Sequence, residues 1–519
     1  VTRRVGAVLV AMALGVTALA CSGGDEGATG DAEQGPNIVV VLADDLALTD
    51  IADMPHLQGL LVDGGLSFDR FYVSNAFCCP SRVTALRGQY AHNTRVLTNQ
   101  GPTGGFETAR RVGIERSTLA TWLQDAGYRT GLVGKYLNEY PTGAGPTYIP
   151  PGWDEWTSVV DGNTNLGFDY TLNVNGQLVS FGSDREDYAT DVYFDEATSF
   201  VAAASEDEAP FFLWLAPDAP HLPAVPAPED AGLFADRRVP RTAAYNQADT
   251  SASVTWQRVF APLSVEERDR FDEQYRNRLR TLQSLDRGLA RLVDALEEAG
   301  TLDDTYLLFT SDNGFHLGLH RLPPGKETAF EEDIHVPLLV RGPGVPTGER
   351  SDAFVANIDL APTLAGLAGA EVPDEVDGRS FGPVLDDPGA GDDRQSLLLE
   401  HWSSPLLPSA PGMVASDDGD VAVDQVAPDG AILDPVTGDP LVFLPPQDFR
   451  GLRTGRYTYL EYVTGEVELY DNVEDPDQIH NLAATADRAL LDELSQRLDD
   501  LRSCAAESCR RSEDAAVPE

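Results

Sequence analysis

From Ile38 to Ala43 the chain runs through six apolar residues, three of them consecutive valines, before it reaches Asp44-Asp45. A strand wet on one face alternates polar and apolar residues; an unbroken β-branched run has both faces covered, as in a parallel sheet between helices. Further strands are expected at 128–133, leading into Gly134-Lys135, at 210–216, and at 305–310, ending in Ser311-Asp312-Asn313-Gly314. Between them lie a short helix at 117–126 and a long amphipathic one. The capping-box pattern Ser264-Val-Glu-Glu267 opens the long helix, which runs to about Ala299. This alternation specifies an α/β domain with a mostly parallel sheet.

Beyond residue 385 Pro, Gly and Asp become dense. Two strand-like segments in 453–470 flank Thr464-Gly465, a hairpin signal, and a helix is expected at 484–502. The expected division is a main domain over 36–385, a small antiparallel sheet with one helix over 386–510, and a tail over 511–519. A chain of 519 residues is long enough for both, and no repeat is evident.

The N-terminus reads as an export signal over 1–21. Arg3 and Arg4 precede an uncharged apolar run over 5–20, short for a membrane span, and a Gly/Asp/Glu-rich tether follows over 22–35. Cys21 after Ala20 fits a lipidated processing site, which would make a cell-surface lipoprotein; plain secretion is the alternative. The formal charge of −47 excludes nucleic acid and anionic lipid surfaces as partners, since both need basic patches. Any anionic substrate must then be met by concentrated local positive charge, which salt screening over about 8–10 Å permits.

Of the five cysteines, Cys504 and Cys509 are spaced to close a small disulfide loop in an oxidising compartment. The adjacent pair Cys78-Cys79 cannot bridge without strain and asks for a chemical reason. Pro80 suits a first helical turn, which would put Cys78 at a helix N-terminus, where anions bind. Asp44-Asp45 and Asp312-Asn313 both follow strands, so a parallel sheet would bring them to one edge. Oxygen donors alone point to a hard cation, calcium or magnesium, rather than zinc.

Cys78-Cys-Pro-Ser-Arg82, with the helix that ends at Gly88, resembles the signature of the formylglycine-dependent sulfatase family. The likeness extends through Asp44-Asp45, Gly134-Lys135-Tyr-Leu-Asn-Glu-Tyr140, the segment 210–223, 311–316, Lys326 and 336–344. The tail motifs Glu468-Leu-Tyr-Asp471 and Asn481-Leu482 resemble the family's C-terminal part. The wording is most similar to the N-acetylglucosamine-6-sulfatase branch. The resemblance implies an alkaline-phosphatase-like fold and hydrolysis of an O-sulfate ester, with a sulfated amino sugar or glycan as substrate. It implies that a formylglycine-generating enzyme oxidises Cys78. One hydroxyl of the hydrated aldehyde would attack sulfur and release the alcohol; the other would be deprotonated to expel sulfate from the sulfo-enzyme.

By the same resemblance Asp44, Asp45, Cys78, Asp312 and Asn313 would hold the cation, and Arg82 would stabilise the hydrate. Lys135 and Lys326 would grip sulfate, His221 would stand near the leaving oxygen, and His316 would contact substrate. Many family members have a histidine where this chain has Leu137, which leaves the base for sulfate expulsion unassigned. One count supports the assignment independently: of 37 basic residues only two are lysines, Lys135 and Lys326. A compact ammonium is not interchangeable with the wide guanidinium fork. Two other readings stand beside this one, a phosphonate or phosphodiester hydrolase on the same fold and a sulfated-glycan-binding lipoprotein without turnover.

Overall fold

The computed structural model describes residues 35–391, 393–403 and 447–517. The export signal, Cys21 and nearly all of the tether lie outside the described residues. Ten strands make the main sheet: β1 (Asn37–Ala43), β2 (Leu66–Tyr72), β3 (Arg129–Gly134), β4 (Glu155–Asp161), β5 (Tyr170–Val174), β6 (Gln177–Phe181), β7 (Phe211–Ala216), β8 (Thr305–Ser311), β9 (Leu338–Arg341) and β10 (Glu349–Ala356). Their order is β10-β2-β9-β8-β1-β7-β3-β4-β5-β6. The centre, β8-β1-β7-β3-β4, is parallel. β9 runs antiparallel between β8 and β2, and the β5–β6 hairpin continues the far edge antiparallel.

The unbroken apolar run of β1 now has its reason. Ile38, Val40 and Leu42 point into one hydrophobic core, and Val39, Val41 and Ala43 into the other. Successive side chains face opposite sides of a sheet, so a strand covered on both sides needs apolar residues at every position. The second core is closed by the helix Val265–Glu298, through Leu279, Leu282, Leu285 and Leu289. Its capping box forms as expected: Ser264 Oγ accepts from Glu267 N (3.1 Å) and Glu267 Oε2 from Ser264 N (2.7 Å). The first core takes Val83, Leu119, Leu123 and Leu364 from helices on the opposite face.

The C-terminal part holds an antiparallel sheet of β11 (Ser396–His401), β12 (Phe449–Thr454), β13 (Tyr457–Tyr462) and β14 (Val467–Asp471), in that order. The Thr464-Gly465 hairpin joins β13 to β14. Two strands exceed the expectation: β12 starts at Phe449 and turns at Gly455-Arg456, and β11 comes from far upstream in sequence. The following helix is Arg488–Leu501, shorter than expected, because the Asp487 side chain accepts from Ala489 N (2.9 Å) and fixes the start. Leu494, Leu498 and Leu501 join the first core, as do Leu397, Leu452 and Leu469. Residue 385 thus marks a change of sheet, not a break in the core.

Residues 511–513 are not a free tail. They end the helix Glu507–Glu513, and the fully buried Glu513 receives Arg394 Nε (3.1 Å) and the Tyr90 hydroxyl. Cys504 and Cys509 are disulfide-bonded with Cα atoms 4.8 Å apart. Among the described residues no helix is long and apolar enough to cross a membrane.

Candidate active site

Four adjacent parallel strands, β8, β1, β7 and β3, end at one edge of the sheet, and each delivers polar groups there. β1 delivers Asp44 and Asp45, β8 delivers Asp312 and Asn313, β3 delivers Lys135, and the loop after β7 carries His221. Gly134 (φ 105°) permits the turn into Lys135: a Cβ there would lie 2.1 Å from Ala216 O, and Lys135 N donates to that same oxygen (2.8 Å). Opposite the strand ends, the helix Cys78–Arg87 begins at the predicted cysteine and closes at Gly88 (φ 67°). Asn99 Oδ1 accepts from Cys79 N (2.7 Å) and acts as a cap supplied from another loop.

The adjacent cysteines are divided by this helix start. Cys79 packs into the first core, where burial pushes its thiol up to about 12. Cys78 Sγ faces the charged cluster, 2.9 Å from Lys326 Nζ, 3.6 Å from Asp44 Oδ1 and 3.9 Å from Asp45 Oδ1. Burial pushes the Cys78 thiol far up although Lys135 and Lys326 oppose it, so an unmodified Cys78 is a thiol at neutral pH and a poor nucleophile.

Lys135 Nζ meets Asp44 Oδ2 at 2.6 Å, Lys326 Nζ meets Asp45 Oδ1 at 2.7 Å, and Arg82 Nε meets Asp312 Oδ2 at 2.7 Å. Burial pushes Asp44 up, but Lys135 and Arg82 outweigh it and hold the carboxyl well below its usual range. Burial and the Asp44 charge drive Asp312 the other way. Three carboxylates face three basic side chains, so the cluster is formally neutral, and a divalent ion would leave it positive.

The donor set fits such an ion. Asp45 Oδ2 and Asn313 Oδ1 are buried and accept no hydrogen bond, a costly state unless a cation takes them up. One ligand atom each from Asp44, Asp45, Cys78 and His221 lies within 4.8 Å of the others. His221 Nε2 is 3.6 Å from Asp45 Oδ2. Asp312, by contrast, is already engaged, since its Oδ1 accepts from Asp45 N (3.1 Å) and its Oδ2 from Arg82. His316 is buried and tied through Nδ1 to Asp333 (2.9 Å), while its backbone pairs with Gly325, next to Lys326. Leu137 is packed in the apolar core.

Sequence reasoning missed Arg278, on the long helix. Its guanidinium donates to Asp45 O (2.5 Å) and Pro220 O (3.1 Å), pairs with Asp50 (3.1 Å) and stacks 4.4 Å over Phe315. One side chain thus ties together the loops of Asp45, His221 and His316. It also supports Asp45 in a left-handed backbone conformation, φ 63°, unusual for a residue with a Cβ. An arginine among many on an amphipathic helix carries no sequence signal of this.

A buried cysteine at a helix N-terminus, with lysines and unpaired oxygen donors around it at a parallel-sheet edge, defines an α/β enzyme for an anionic ester. The family model described as Sulfatase matches residues 36–370. N-acetylglucosamine-6-sulfatase of Homo sapiens is 33% identical over 482 residues, covering 92% of this chain and 86% of that protein. The chain therefore belongs to the sulfatase family and is a sulfuric ester hydrolase. Among solved structures, BT4656 in complex with its substrate D-glucosamine-2-N,6-O-disulfate matches with a TM-score of 0.68 and 23% identity, over 93% of this chain and 99% of that one. The phosphonate monoester hydrolase of Agrobacterium radiobacter matches with a TM-score of 0.64 and 22% identity, over 90% and 95%. These two likenesses show the alkaline-phosphatase-like fold, which serves more than one anionic ester.

Proposed function

We propose that this sulfatase removes O-sulfate from a sulfated amino sugar or glycan, using a formylglycine made from Cys78 by a formylglycine-generating enzyme. The observation that supports the nucleophile is the placement of Cys78 Sγ, 2.9 Å from Lys326 Nζ and 3.6 and 3.9 Å from carboxylate oxygens of Asp44 and Asp45. The sugar rests on the likeness to N-acetylglucosamine-6-sulfatase over 92% of the chain.

Asp44, Asp45, Asp312 and Asn313 would hold one calcium, or magnesium, beside residue 78. Bound there, the cation would lower the pKa of a hydroxyl on residue 78 and offset the carboxylates. The chain's own groups do the rest. Lys326 and Lys135 supply ammonium charge for the sulfate oxygens as negative charge shifts during S–O cleavage. Arg82, pinned by Asp312 and by Lys135 O (3.1 Å), holds the helix start and the β8 loop in register. His221, 3.6 Å from Asp45 Oδ2, would pass a proton to the departing alkoxide. His316 holds the Lys326 loop through Asp333 and can reach substrate from there. With Leu137 apolar, His221 or a lysine would serve as the base for sulfate expulsion. Export follows from the Arg3-Arg4 and apolar N-terminal pattern, with Cys21 as lipid-anchor site, and agrees with the Cys504–Cys509 disulfide.

Steady-state assays on matched aryl sulfate and aryl phosphonate esters, followed by a panel of sulfated sugars, test this reading. Sulfate preference and turnover of 6-O-sulfated N-acetylglucosamine are expected. Preference for the phosphonate would overturn the reading, and binding without turnover would leave a glycan-binding protein.

A further inference from the structure

β2 and β10 end in register, Tyr72 opposite Ala356, so Asn357 lies beside the start of the segment that leads to Cys78. Its buried side-chain amide makes two bonds there: Oδ1 accepts from Ser74 N (3.1 Å) and Nδ2 donates to Ser81 Oγ (3.0 Å). Ser81 stands in the first turn of the helix Cys78–Arg87 and donates its hydroxyl to Asp312 O. Chemistry dictates these directions. Ser74 N can only donate and Asp312 O can only accept, so Ser81 turns its hydrogen to Asp312 and a lone pair to Asn357. Cys78 thus sits between two anchors, four residues after Ser74 and three before Ser81, and both anchors end on one side chain. The turn that carries Asn357 is itself locked. Asp359 Oδ2 accepts from Ala356 N (2.8 Å), and the buried Arg394 donates through Nη2 to Asp359 Oδ1 (2.9 Å).

We infer that Asn357 is a positioning residue for the nucleophile: its amide fixes both ends of the segment that carries Cys78 and, through Ser81, the backbone of Asp312. The inference rests on the nucleophile and cation readings above. Removing the amide would leave the buried Ser74 N–H without an acceptor and free the Ser81 hydroxyl to turn away from Asp312. The helix start and the β8 loop would then lose a shared anchor. Cys78 Sγ lies 3.6 Å from Asp44 Oδ1, and Asp312 Oδ2 lies 2.7 Å from Arg82 Nε, so a small shift between the two elements changes every distance around residue 78. Groups that orient metal ligands from behind are worth about 10–100-fold in metal affinity. Misplacing a nucleophile slows the chemical step and leaves substrate binding nearly intact.

The test measures calcium affinity by calorimetry on chelator-treated protein, for wild type, Asn357→Ala, Ser81→Ala, the double variant and Leu498→Ala, a core substitution in the C-terminal helix. Turnover of an aryl sulfate is measured beside it and divided by the formylglycine content of each protein, read by mass spectrometry. Asn357→Ala is expected to lower calcium affinity about tenfold and kcat by a similar factor, with KM nearly kept. Ser81→Ala should weaken calcium likewise, and the double variant should fall clearly short of the sum of the two effects. Leu498→Ala should lower the melting temperature and leave affinity and kcat unchanged. The role is overturned if Asn357→Ala matches wild type, if its effect adds fully to that of Ser81→Ala, or if Leu498→Ala weakens calcium as much. Should Asn357→Ala fail to fold, Ser81→Ala decides by the same calcium measurement. Wild type that binds no calcium would remove the cation reading instead, and kcat of Asn357→Ala would then decide for or against the positioning role.

Discussion

Two ammonium groups supply the mobile positive charge of the site, and both lie buried against carboxylates. Lys326 touches Cys78 Sγ and Asp45 together, at 2.9 and 2.7 Å. A guanidinium is too wide to hold both contacts, so Lys326→Arg should lower kcat/KM by about a hundredfold with the melting temperature nearly kept. Near-normal rates would remove Lys326 from the chemistry. Arg278 acts one step back, through Asp45 O and Pro220 O. Arg278→Gln is expected to weaken binding of the proposed divalent cation by about 10–100-fold, read by calorimetry, while an unchanged affinity would make it a packing residue only. The gathering of Asp44, Asp45, Asp312, Asn313 and the two lysines was legible because each follows a strand or sits in a motif. Arg278 was not, because its meaning lies in a partner 233 positions away.

At the scale of elements, β14 carries a buried acid with a pH signature. Glu468 lies between the hydroxyls of Tyr462 (2.7 Å) and Tyr470 (2.8 Å), and burial pushes it up to about 7 against those hydrogen bonds. A raised acid holds its proton more tightly folded than unfolded. Its contribution is therefore complete below the unfolded value of 4.5 and is lost as pH rises through about 7. Glu468→Gln is neutral at every pH, so it should match wild type near pH 5 and exceed it by roughly 2–3 kcal/mol near pH 8. Urea unfolding at the two pH values measures this, and a gap that does not change with pH would contradict it. Elements with strong local signals were legible: the two-faced β1 run, and the Ser264 capping box that starts a 34-residue helix. The C-terminal sheet was only half legible. β11 pairs with β12 across a long stretch of sequence, and residue spacing does not encode that pairing.

For the whole molecule, charge is the dominant property. A chain of net charge −47 repels a sulfated polymer at long range, while Lys135 and Lys326 would meet sulfate at contact. Raising salt from about 10 mM to about 150 mM shortens the repulsion, so KM for a sulfated polysaccharide should fall several-fold while a small aryl sulfate changes little. A KM that rises with salt would mean that attraction governs the approach. The acidic composition was plain in the sequence; the neutral balance of the buried cluster, set by which lysine faces which aspartate, became visible only in the fold. Everything in the site is arranged around residue 78, so its covalent state is the most direct test. Mass spectrometry of the peptide spanning Cys78, from protein made in its native host and fully active, should show the lighter aldehyde and its reaction with a hydrazine. An intact thiol there in fully active protein would contradict the account.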